Sequence, residues 1–108
     1  MALTRDFKAT VRARVERDPA FRQALFQEAV QALLEGDAGG GRSVLRDYIN
    51  ATIGFEALAA LTHTPAKSLM RMFGPKGNPT AGRLFSVIGA LQETTGVHLE
   101  VRAVTEAA

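Results

Sequence analysis

Apolar side chains recur at helical spacing along most of the chain. The first such series repeats every four residues and therefore lies on one face of a helix: Leu3, Phe7, Val11 and Val15. Similar spacing continues to about residue 95, interrupted by glycine and proline. It predicts helices over 4–17, 19–35, a segment ending near 52, 55–62, 65–73 and 80–94.

Capping residues stand at several of these boundaries. Asp18 is a good N-cap, and Pro19 follows it at the first helical position, where a missing N–H costs nothing. Thr80 has the same capping chemistry before the last helix. Gly36 and Gly96 follow apolar runs and are predicted to end their helices.

Two segments depart from the helical pattern. Residues 37–41 (Asp-Ala-Gly-Gly-Gly) are predicted to be a flexible hinge between a helical pair at 1–36, for packing or dimerisation, and a region at 37–108. Residues 97–102 alternate apolar and polar side chains, which predicts a strand. A lone strand leaves its edges unpaired, so we expect it to pair with the same strand of a second subunit. The expected fold is an all-α, compact domain of five or six helices with one short C-terminal strand.

Length and composition narrow the class of protein. The chain has 108 residues, 46% of them hydrophobic, which fits one domain with a modest core. There is no cysteine, which rules out disulfides and thiolate metal sites and suits a cytoplasmic protein. The sequence contains no apolar run of the roughly 20 residues that span a bilayer, and its charged start is unlike a signal peptide. We therefore expect no membrane partner.

Charge is unevenly distributed. The net charge is only +2, yet no Asp or Glu occurs between Ala57 and Gln92. The cations of this acid-free stretch are Lys67, Arg71, Lys76 and Arg83. A locally basic stretch in a nearly neutral chain is typical of a surface that faces phosphate groups.

The acid-free stretch includes two short predicted helices with the features of a helix-turn-helix. Ala59 is small enough for the helices to cross closely, and Pro65 suits the start of the second helix. His63 stands at the turn position that usually has positive φ, a conformation in which His is enriched. The apolar residues expected to hold the crossing are Leu58, Leu61, Leu69 and Phe73.

This arrangement predicts a DNA interface. Lys67 and Arg71 would read guanine edges or hold phosphates, and Ala66 and Met70 would touch thymine methyl groups. The loop before Thr80 and the helix N-terminus would bind phosphate. The predicted DNA-binding residues are Thr64, Ala66, Lys67, Ser68, Met70, Arg71, Lys76, Asn78, Thr80 and Arg83.

The same region resembles the helix-turn-helix of phage-repressor-like regulators, and more closely the antidote (antitoxin) proteins of bacterial toxin–antitoxin modules. The resemblance covers about residues 30–95, and the Gly-Asn-Pro-Thr loop is its most telling part. The resembling segments are 33–37, 58–62, 67–73, 77–80 and 84–91. The resemblance implies a small homodimer that binds an operator, represses its own promoter and neutralises a partner toxin.

Other functions fit the sequence less well. Residues 36–43 partly match the P-loop pattern of nucleotide-binding proteins. However, Arg42 replaces the required Lys, and the segment follows a predicted helix instead of a strand. His63 and His98 have no second ligand at useful spacing, so we expect no metal or cofactor, and no nucleophile arrangement indicates an enzyme. Four phenylalanines are expected in the core or a dimer interface: Phe7, Phe21, Phe26 and Phe85.

The main alternative is a protein-interaction module that has the helix-turn-helix fold but does not bind DNA, such as an antidote whose task is to cover a toxin. The two hypotheses differ at Lys67, Arg71 and Lys76, which matter only for DNA binding.

Overall fold

The computed structural model describes the backbone of residues 5–106 and the side chains from Ala9 to Glu106. This part of the chain is all-helical. Leu3 and the Phe7 side chain, expected on the first apolar face, lie outside the described residues. The helices are α1 (Arg5–Arg17), α2 (Pro19–Leu34), α3 (Ala38–Ala51), α4 (Gly54–Thr62), α5 (Ala66–Met72) and α6 (Ala81–Thr95).

Most helix boundaries follow the local signals. The Asp18 carboxylate accepts a hydrogen bond of 3.1 Å from the Phe21 N–H, and Pro19 begins α2. Thr80 caps α6 by accepting the Arg83 N–H at 3.3 Å. Gly36 takes a positive φ of +89° directly after Glu35, the C-cap of α2, and Gly96 takes +73° immediately after α6. Both ends are confirmed as glycine-terminated, because the left-handed conformation costs glycine little.

The predicted hinge at residues 37–41 is wrong. Asp37 instead caps α3 and accepts the Gly40 N–H at 3.0 Å, so the glycines lie inside the first turns of the helix. Gly41 is buried, and a Cβ there would lie 2.6 Å from the Leu33 side chain and 3.0 Å from the Ala29 carbonyl oxygen. The glycine therefore serves close packing of α3 on α2.

A single apolar cluster joins five of the helices. Phe26 and Tyr48 stack across α2 and α3, and the rings of Phe55 and Phe73 meet at a tilt, with centroids 6.3 Å apart. The buried members of the cluster are Phe26, Ala29, Leu45, Tyr48, Ile49, Phe55, Leu58, Leu69, Phe73, Val87, Ile88 and Leu91.

Two apolar residues lie outside this core, contrary to what the pattern indicated. Leu61, expected to hold the crossing of α4 and α5, is 50% exposed. Phe85, expected in the core or a dimer interface, is 63% exposed and so does not belong to the core of the described chain. Helical spacing alone does not say which flank of an apolar face meets another helix.

The C-terminal strand predicted at 97–102 is not formed within residues 5–106. Val97 and Leu99 pack against the core, but the segment has no second strand beside it in the described chain. A strand needs a neighbour to pair its backbone N–H and C=O groups. Each described helix is too short or too polar to traverse a bilayer.

Candidate nucleic-acid interface

A three-residue turn joins α4 to α5. His63 ends α4 with φ +53° and ψ +37°, which confirms the expected left-handed turn residue. The Thr64 N–H donates to the Ala59 carbonyl oxygen at 3.2 Å, and the Thr62 hydroxyl donates to Leu58. Pro65 then leads into α5 with φ −57°. Local hydrogen bonds and a preset proline φ thus define the path of the turn.

Core packing holds the inner faces of these two helices. Leu58 of α4 and Leu69 of α5 are fully buried, and Phe73 is buried immediately after α5. Because these side chains belong to the common core, the opposite face of α5 is presented in a defined orientation. That outer face carries Lys67, Met70 and Arg71, all exposed, while Ala66 is half-buried.

The loop after α5 folds back onto the end of that helix. The Gly74 N–H donates to the Arg71 carbonyl oxygen at 3.1 Å, and the Gly77 N–H donates to Gly74 at 3.0 Å. A Cβ on Gly77 would collide with the carbonyl oxygen of Met72. Glycine at this position therefore lets the loop lie directly against α5.

Between the turn, α5, this loop and the start of α6 lies an open cleft of about 530 Å³, which we call the basic cleft. Residues from four consecutive segments of the chain meet there. The lining residues are His63, Thr64, Pro65, Ser68, Arg71, Met72, Lys76, Gly77, Asn78, Pro79, Thr80 and Arg83.

Positive groups dominate the basic cleft. Arg71, Lys76 and Arg83 line it, no lining residue is acidic, and none of the three forms an ion pair within the described chain. The N-terminus of α6 also opens on it, where backbone N–H groups of the first turn lack helical acceptors. Unpaired cations beside a helix N-terminus favour binding of an anion such as phosphate.

The structure brings most of the predicted site residues together. Seven of the ten line the basic cleft: Thr64, Ser68, Arg71, Lys76, Asn78, Thr80 and Arg83. Ala66, Lys67 and Met70 lie outside it on α5. Arg71 is exposed and also lines the cleft, so it connects the two surfaces.

Although the sequence predicts phosphate binding by backbone N–H groups near Gly77, five other lining residues are not among the ten predicted DNA-binding residues: His63, Pro65, Met72, Gly77 and Pro79. Four of them stand in segments that the sequence marks as turn or loop. That the two segments face each other across a cleft follows from the packing of α5 and α6 against α4, which no local pattern specifies.

The chain has no match among the models of known protein families, and neither the curated proteins nor the solved structures contain one significantly similar to it.

Proposed function

We propose that this protein binds double-stranded DNA in a sequence-specific manner, through a helix-turn-helix made of α4, the turn at 63–65 and α5. The observation that carries the proposal is the basic cleft next to the exposed outer face of α5. A DNA-binding helix needs side chains free to reach base edges and cationic groups beside it to hold the backbone. Both requirements are met by neighbouring residues of one acid-free stretch.

The two surfaces have different roles in this proposal. Lys67, Met70 and Arg71 enter the major groove, where Arg and Lys recognise guanine and an apolar side chain contacts the thymine methyl group. Lys76, Arg83 and the start of α6 hold phosphates. Phosphate contacts position the protein on the duplex and supply affinity, whereas base contacts supply specificity.

We further propose that the protein is a transcriptional regulator that acts as a homodimer and represses its own promoter, as the antidote of a toxin–antitoxin module. The resemblance of residues 30–95 to such antidotes supports this role. The toxin-covering alternative, without DNA binding, gains some support from the exposed Leu61 and Phe85, which provide apolar contact area.

The test measures binding to the DNA upstream of the protein's own gene and to a scrambled duplex of equal length and composition. We expect tighter binding to the upstream DNA and a steep loss of affinity between about 50 and 200 mM salt, because phosphate contacts release counterions. An affinity that does not change with salt, or is equal for both duplexes, contradicts the proposal.

Three variants separate base recognition from phosphate contact. Arg71→Ala is expected to cost about 1–3 kcal/mol on the upstream DNA and less on the scrambled duplex. Lys76→Ala should weaken both equally and reduce the salt slope by about 1. Arg17→Ala, an exposed cation of α1, is the matched control and should change neither. A pure interaction module would tolerate all three substitutions.

A further inference from the structure

The chain beyond α6 begins as an extended segment anchored on the core. Gly96 ends α6, and Val97 and Leu99 then pack against the apolar cluster, whereas His98 and Glu100 are exposed. The Leu99 N–H donates to the Gln92 side-chain oxygen at 2.8 Å. Alternating burial of this kind is the signature of extended backbone, in which successive side chains point to opposite sides.

Apolar residues continue after the anchored part, but nothing in the described chain covers them. Val101 continues the odd-numbered series of Val97 and Leu99, and it is 82% exposed. Within residues 5–106, the backbone groups of residues 100–106 form no hydrogen bond. An apolar segment with an unpaired backbone is ready to add a neighbouring strand.

We propose that residues 98–104 of this segment pair antiparallel with the same residues of a second copy of the chain, with Val101 on the two-fold axis. This pairing rests on the proposal of a homodimer but not on DNA binding. It identifies the partner as the protein itself and the pairing register as Val101 opposite Val101.

Charge complementarity selects this register. With Val101 opposite Val101, Glu100 of each copy lies opposite Arg102 of the other, and both pairs are attractive. Moving the axis by one residue in either direction places Glu100 opposite Glu100 or Arg102 opposite Arg102. A register that places odd-numbered residues opposite even-numbered ones would put apolar and polar side chains on the same side of the two-stranded ribbon.

The same register produces one continuous apolar side. The odd-numbered residues of both copies share it: Val97, Leu99, Val101 and Ala103. Because Val97 and Leu99 already contact the core, the paired ribbon would extend the cores of both copies toward the axis. The even-numbered side carries the charged pairs, with His98 opposite Val104, and faces solvent.

Charge reversal tests the pairing in the absence of DNA. Glu100→Arg and Arg102→Glu alter exposed residues outside the core, and thermal melting checks that each variant folds. Sedimentation of each variant alone should show a dimer dissociation constant raised by about tenfold or more, because both cross-strand pairs become repulsive. A one-to-one mixture of the two variants should regain the original constant. In the mixed dimer one strand carries two arginines and the other carries two glutamates, so both cross-strand pairs are attractive again.

A cysteine pair tests the register, and the natural chain has no cysteine that would interfere. Val101→Cys should cross-link two copies under mild oxidation, since residues opposite each other on the axis lie within disulfide reach. Ala103→Cys is the matched control, because its two copies would lie roughly 13 Å apart along the ribbon. Cross-linking at 103, or absence of cross-linking at 101, overturns the register.

A protein that sediments as a monomer at all concentrations, or charge variants whose mixture shows no rescue, overturns the proposed pairing. Loss of DNA binding with the dimer intact counts only against the DNA-binding proposal.

Discussion

The rings of Phe26 and Tyr48 stack with their centroids 4.7 Å apart and their planes 10° from parallel. The contact fastens α2 to α3 at the centre of the core, where both residues have no exposed surface. Burial raises the pKa of the Tyr48 phenol above its ordinary value of 10.0, and the nearby Thr95 hydroxyl and the Arg22 charge partly oppose that rise. The neutral phenol is therefore the form that the fold prefers.

A pH dependence follows from the raised pKa of Tyr48. The unfolded chain ionises its tyrosine near pH 10 while the folded chain still retains the proton, so the free energy of unfolding should fall as pH rises above 10. Tyr48→Phe retains the ring stack but has no phenol to ionise. Its free energy of unfolding should therefore fall less than that of the original protein above pH 10. Urea denaturation of both proteins between about pH 8 and pH 11 measures the difference.

Tyr48 is the sole tyrosine of the chain, so ultraviolet titration of the folded protein reports this phenol directly. Parallel stability curves for the two proteins, or a titration midpoint at or below 10.0, would contradict the expectation.

The glycines at the start of α3 are predicted to respond oppositely to alanine. Gly41→Ala places a Cβ against Leu33 and the Ala29 carbonyl oxygen and should lower the free energy of unfolding by about 1–3 kcal/mol. Gly39→Ala meets nothing within 4 Å and should raise it by up to about 1 kcal/mol through helix propensity. Chemical denaturation compares the two, and equal effects of one sign would show that the α2–α3 contact is not tight.

His63 is predicted to store backbone strain at the turn. Its φ of +53° costs a side-chain-bearing residue about 1–2 kcal/mol, so His63→Gly should stabilise the protein by up to about 1 kcal/mol after the added chain entropy of glycine. His63→Val, with a β-branched side chain, should destabilise it. Thermal or urea unfolding should rank the three proteins, from most to least stable, as the His63→Gly variant, the original protein with His63 and the His63→Val variant. Any other order of stability refutes the strain argument.

Gly77 is predicted to set the position of the loop that carries Lys76. Gly77→Ala forces the loop away from the Met72 carbonyl oxygen and should cost about 1–3 kcal/mol of stability. DNA affinity, measured where the variant is fully folded, should also fall, because Lys76 moves with the loop. Gly74→Ala is the control: its Cβ would lie 3.4 Å from two carbonyl oxygens, an ordinary contact. Equal losses in both variants would mean that the close approach at Gly77 has no special role.

Local patterns predicted much of the helical framework. Asp18, Thr80 and Gly96 act through hydrogen bonds and φ values within a few residues, so their roles can be inferred without the fold. The sequence pattern gave wrong predictions where a packing partner far away in the sequence determines whether a residue is buried or flexible. The glycines at 39–41 have the composition of a hinge, but Gly41 packs against α2 within a helix. Leu61 has the spacing of a core residue, but it is 50% exposed.

The sequence by itself determined six helical segments, the positive φ at His63 and the acid-free stretch from Ala57 to Gln92, because spacing, capping and charge are local properties. Only the tertiary structure decided that Arg71, Lys76 and Arg83 line one cleft and that the 97–102 segment has no strand beside it in the described chain. Those outcomes depend on how helices far apart in sequence pack together, and packing follows from complementary shape across the whole core.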